Sequence, residues 1–204
     1  MYAWYPMLVC LLAFSAGSGA IAQSEEHPFI ARFTLTELEG RVVVAWTMQG
    51  GSTCDGSEVE RSTDGITFSR VHRLDGICGD AALDVPFTWT DLAPPELSTL
   101  YYRIKLGLND GYSSVRSIRY DQLHSADIRV FPVPSAGPVT VVVNSGAGTS
   151  LELRVFGADG RVVIERSGLT GRRHELDLSG ISPGAYRMVA IGDGRIATTG
   201  FVIQ

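Results

Sequence analysis

From Phe29 onward the chain keeps a period of two, and nowhere does it hold a helical period over the length of a surface helix. Side chains alternate across a strand, so this period sends one set of residues inward and the other to water. In Arg41 to Met48 the inward set is Val42, Val44, Trp46 and Met48, with Arg41 and Thr47 on the opposite face. Val59 between Glu58 and Glu60 repeats the logic within Ser57 to Ser62, and Tyr102, Ile104 and Leu106 repeat it opposite Tyr101, Arg103 and Lys105. Asp64-Gly65, Asp75-Gly76 and Asp110-Gly111 separate the runs, and glycine there supplies the positive φ of tight turns. The pattern predicts an all-β sandwich over residues 29–121, with Trp46 and Phe68 in its core and Tyr101 or Tyr102 packing across its sheets. Glu58 and Glu60 read as a solvated edge, and Trp89 as an aromatic that could serve a sugar ring if it faced outward.

Leu123 to Asp127 is a short polar connection without a proline or glycine run, so residues 122–129 form a close linker rather than a long tether. Beyond it, Pro132 and Pro134 fix an extended lead-in. Val139, Val141 and Val143 then alternate with Thr140, and Leu151, Leu153 and Val155 with Glu152 and Arg154. Asp159-Gly160 makes a hairpin turn into Arg161 to Glu165, and Leu176 with Leu178, Tyr186 to Ala190, and Phe201 with Ile203 supply the remaining runs. About seven short strands close a second small antiparallel sandwich over residues 130–204.

Residues 1–22 read differently. Met7 to Phe14 form an apolar stretch too short for the ~20 residues of a membrane span, and Ala20-Ile21-Ala22 is an A-x-A cleavage site. The segment reads as a secretory signal peptide cut between Ala22 and Gln23. Its removal leaves Cys54 and Cys78. In an oxidising compartment this even pair is a disulfide candidate, closing a loop worth about 3.5 kcal/mol by chain entropy; two buried free thiols are the alternative.

Other chemistry is thin. The net charge is -5, with no basic cluster to neutralise phosphates, which disfavours nucleic acid. Gly180-Ile181-Ser182-Pro183-Gly184 fits G-x-S-x-G, but Pro183 and a following strand replace the helix that a nucleophile elbow needs. His27, His72, His124 and His174 lie far apart and read as surface residues, the Asp residues never assemble a calcium loop, and no phosphate-binding glycine pattern occurs. No catalytic residue, metal or cofactor is expected.

Two resemblances add to this reading. Val130-Phe131-Pro132-Val133-Pro134, Asp159-Gly160-Arg161, Leu176-Asp177-Leu178-Ser179-Gly180-Ile181-Ser182-Pro183-Gly184-Ala185-Tyr186 and Phe201-Val202-Ile203 together resemble the C-terminal sorting domain of the type IX secretion system, with Phe131 and Val133 where that family has Tyr and Asn. Val44-Ala45-Trp46-Thr47, Glu58 to Gly65, Phe87 to Asp91 and Tyr101 to Ile104 resemble the fibronectin type III-like modules found ahead of such domains, here in a cysteine-bearing variant. The resemblance implies export to the outer surface or medium, the type IX machinery and a sortase-like peptidase as partners, and Pro132, Pro134, Gly160, Gly184 and Tyr186 as the sorting positions. The expected function is a non-enzymatic exported protein. The alternatives are a surface adhesion or glycan-binding module with a surface ligand and, further off, a hydrolase.

Overall fold

The computed structural model describes residues 26–49, 54–76, 83–107, 111–146 and 148–204, and these form strands and turns with no helix. The expected signal peptide with its Ala22-Gln23 bond, Asp110 and Cys78 lie outside the described residues. The strands are β1 Ile30–Leu38, β2 Arg41–Met48, β3 Ser57–Ser62, β4 Ser69–Leu74, β5 Val85–Asp91, β6 Ser98–Leu106, β7 Gly111–Tyr112, β8 Arg116–Tyr120, β9 Ile128–Phe131, β10 Val139–Val143, β11 Ser150–Phe156, β12 Val162–Thr170, β13 Arg173–Leu176, β14 Gly184–Gly192 and β15 Arg195–Ile203.

In the first sandwich a sheet ordered β1-β2-β5 faces one ordered β4-β3-β6, with β7 and β8 both on the far side of β6. Val42, Val44, Trp46 and Met48 all turn inward, as their alternation requires, and meet Val59, Leu100, Tyr102, Ile104 and Leu106 from the opposing sheet. Trp46 stacks on Phe87 with centroids 5.5 Å apart. Tyr102 is the residue that crosses between sheets: its hydroxyl donates to Asp91 Oδ2 at 2.9 Å. Arg61 Nη1 donates to the same oxygen at 2.5 Å. Burial, together with the Asp91 carboxylate beside it, pushes the Tyr102 phenol far above its ordinary value. The Asp64-Gly65 turn joins β3 to β4 as expected. Asp64 Oδ1 accepts the Ile66 and Thr67 N–H groups at 2.8 and 2.7 Å, and Gly65 takes a φ of 74°.

Three expectations fail here for physical reasons. Phe68 is half-buried in the turn before β4 rather than in the core, where the Arg103 guanidinium covers its ring at 4.2 Å and Tyr112 at 3.9 Å. Glu58 and Glu60 do not line a solvated edge, because β3 lies between β4 and β6. Their side chains are only 15% and 11% exposed, ion-paired to Arg70 and Arg103. His174 is not a surface residue: it lies buried on β13 with Nε2 3.1 Å from the Gly171 carbonyl oxygen, and burial lowers its basicity.

The second sandwich sets a sheet ordered β13-β10-β9 against one ordered β12-β11-β14-β15. Val139, Val141, Val143, Leu151, Leu153, Val155, Met188 and Phe201 fill the space between them. The alternation predicted for β10 holds only on its inner face, since all five of its residues are buried. On the outer face Thr140 lies between Phe131 and Glu175 in register, its hydroxyl donating to the Glu175 carboxylate, and Val142 is covered at the junction between the sandwiches. Val142 sits between Arg129 and Arg173 in register, and these arginines reach Glu96 and Asp121 of the first sandwich, each at 3.2 Å. Arg172 pairs with Glu37 beside them.

Candidate functional site

Strand register gives the second sandwich two unlike ends. At one, Phe131 pairs with Thr140, Val139 with Leu176, Phe156 with Arg187, and Gly184 with Ile203. The connections leaving that end are residues 132–138, 157–161 and 177–183. At the other end, Ser145, Gly146, Gly171 and Arg172 border a cleft against Glu37, Leu38 and Asp121 of the first sandwich. One end therefore meets the first sandwich and the other is turned away from it.

All five expected sorting positions fall at the end turned away. Pro132 and Pro134 are exposed in the first connection, each following a cis peptide bond. Neither carries an N–H, so Ser135 is the next residue whose N–H follows them. It donates to Val202 O at 2.9 Å and its carbonyl accepts Gln204 N–H at 2.8 Å, in a parallel bridge to the end of β15. Ser135 is itself 1% exposed, its hydroxyl donating to Gly137 O at 3.1 Å. Sequence reading missed this residue; the signal available was its place as the first N–H donor after two prolines.

Gly160 stands in the 157–161 turn at a φ of 78°, where its N–H donates to Gly157 O at 3.0 Å. A Cβ there would meet nothing within 4 Å, so conformation rather than space calls for glycine. Gly184 starts β14, and Tyr186 follows two residues on. The Tyr186 hydroxyl donates to Ser182 O at 2.6 Å and its ring lies 5.9 Å from Phe201, so one side chain fixes the 177–183 connection to the core. Asp177 organises the same connection by accepting the Ser179 hydroxyl and N–H, which hold its carboxyl below the ordinary range. Gly160 and Tyr186 share a groove of about 540 Å³ with Phe156, Arg187 and Gly200.

Residues 129–204 match the secretion system C-terminal sorting domain family. The match spans the second sandwich from β9 to Gln204 and supports export through the type IX secretion system, to the cell surface or the extracellular space. The first sandwich lies outside it. No curated protein matches the chain. Among solved structures it is similar to a two-domain fibronectin type III segment of chicken tenascin, at 10% identity and a TM-score of 0.36 over 86% of this chain and 98% of that one. It is also similar to a biofilm-associated protein BSP domain, at 12% identity and a TM-score of 0.32 over 87% of this chain and 30% of that one. The chicken interferon gamma receptor alpha chain gives 13% identity and a TM-score of 0.31 over 87% of this chain and all of that one.

Outside the sorting domain, Cys54 lies beside the Gly76 backbone: a Cβ built on Gly76 would sit 1.7 Å from the Cys54 carbonyl oxygen. The chain two residues before Cys78 thus touches Cys54. Trp89 is half-buried against the first core and stacked on His72, with centroids 5.2 Å apart at 10°, so it is no open platform for a sugar. Ser182 is exposed, and strand β14 follows its motif.

Proposed function

We propose that this chain is a non-enzymatic protein whose sorting domain is the export address and whose first sandwich is the cargo. In this reading residues 1–22 carry it across the inner membrane and are cut between Ala22 and Gln23. Cys54 then pairs with Cys78 in the periplasm, a pairing that the contact between Gly76 and Cys54 supports. The type IX machinery reads the end of the sorting domain turned away from the cargo, and a sortase-like peptidase acts between the two sandwiches. The observation that carries the reading is the gathering of Pro132, Pro134, Gly160, Gly184 and Tyr186 at that one end. An address must stay reachable while cargo is attached, and the free end meets that condition.

The reading is tested by fusing residues 122–204 to a periplasmic reporter in a host with type IX export. Reporter recovered from the surface or medium supports it, and reporter retained in the periplasm with the sorting domain folded overturns it. The hydrolase alternative has its own test: a serine-reactive probe is expected to leave Ser182 unlabelled.

A further inference from the structure

The connection between the sandwiches is bonded from both sides. Leu123 N–H donates to Asn144 Oδ1 at 3.0 Å, and Asn144 Nδ2 donates back to the Leu123 and Ala126 carbonyl oxygens at 2.6 and 3.0 Å. The Asn144 N–H donates to Asp127 O at 2.8 Å. Asn144 follows β10 in the sorting domain, so these bonds tie residues 123, 126 and 127 to that domain. The two residues between them are tied to the other one. Glu96, in the connection from β5 to β6, accepts the N–H of His124 and, at 3.2 Å, that of Ser125. Its other oxygen meets Arg129 Nη2 at 3.2 Å, and Leu123 is 4% exposed.

A peptide is bound as an added strand through its own N–H and C=O groups. In residues 123–127 the N–H groups of Leu123, His124 and Ser125 and the carbonyls of Leu123, Ala126 and Asp127 are engaged by Asn144 and Glu96, although Ser125 and Asp127 are exposed and His124, its Nε2 3.0 Å from the Tyr120 hydroxyl, is exposed too. We propose that residues 123–127 are a latched processing segment, held shut by Asn144 from one sandwich and Glu96 from the other, and open to a peptidase only when the latch releases. The biological use of such a latch rests on the sorting reading. The latch itself does not, and it can be tested without export.

The test is limited proteolysis of the full chain from residue 23 by a broad-specificity endopeptidase, with cut positions read by mass spectrometry. A free peptide of residues 119–131 serves as the unlatched reference. When reclosing is fast, cutting follows the population of the open form, and one side chain making three hydrogen bonds to the segment shifts that population by about ten-fold or more. Asn144→Ala is expected to speed cutting within 122–128 by about that factor, Glu96→Ala, which removes two charge-assisted bonds, by a comparable one, and the two together to approach the peptide's rate. Val155→Ala, which loosens the sorting-domain core, is expected to scatter cuts through that domain instead. Should Asn144→Ala unfold the sorting domain, Glu96→Ala, outside that domain, carries the comparison. A wild-type segment cut as fast as the free peptide, or variants no faster than wild type, would overturn the latch. Either result leaves the address reading standing, because no export step enters the assay.

Discussion

Asp91 joins three strands through one carboxylate. It ends β5, takes the Tyr102 hydroxyl from β6 and the Arg61 guanidinium from β3, and its Oδ1 accepts the Ala93 N–H at 3.2 Å. Losing a partner that donates is cheaper than losing the charge that several donors share. Tyr102→Phe is therefore expected to cost about 1 kcal/mol in urea unfolding. Asp91→Ala, which leaves the partly exposed Arg61 and the buried Tyr102 hydroxyl without their acceptor, is expected to cost about 2 to 3 kcal/mol. Two glycines separate shape from recognition. Gly160→Ala forces a side chain into positive φ and is expected to cost about 1 kcal/mol. At Gly184 a Cβ would meet only the Tyr186 ring at 3.6 Å, an ordinary contact, so Gly184→Ala is expected to change stability by less than about 0.5 kcal/mol. Export lost in Gly184→Ala at unchanged stability would assign that position to the machinery; export kept would remove it from the recognised positions.

Among elements, the connection between the sandwiches is one place where acid acts. Accepting the His124 N–H, with Arg129 beside it, holds the Glu96 carboxyl below its ordinary 4.5. A carboxyl depressed by folding adds stability above its unfolded value and loses it as pH falls through the folded one. The junction is thus expected to keep full strength above about pH 5 and to weaken below 4.5. The amide resonances of His124 and Ser125 are expected to titrate with a midpoint under 4.5, and to stop doing so in Glu96→Gln. Much of the strand pattern was legible, because β2 and β6 alternate strictly and their inward residues are all buried. What stayed hidden depends on neighbours distant in sequence. The outer face of β10 is covered at Val142 by arginines of β9 and β13, Glu58 is shielded by cations from β4 and β6, and Ser135 meets β15 only through the closed fold. A period of two reports one face of a strand; it is silent on what covers the other.

On the scale of the whole molecule, the sorting domain has one end committed to the first sandwich and one end free, with every expected sorting position at the free end. The two sandwiches are held together by Arg129, Arg172 and Arg173 on one side and Glu37, Glu96 and Asp121 on the other. The most direct test of this account is to express the native gene with and without residues 126–204 in a host with type IX export, and to locate residues 29–121 by mass spectrometry. The account predicts that the full chain brings them to the surface or medium while the truncated chain leaves them in the periplasm. Finding both forms in the periplasm at full mature length, or both exported alike, would contradict it.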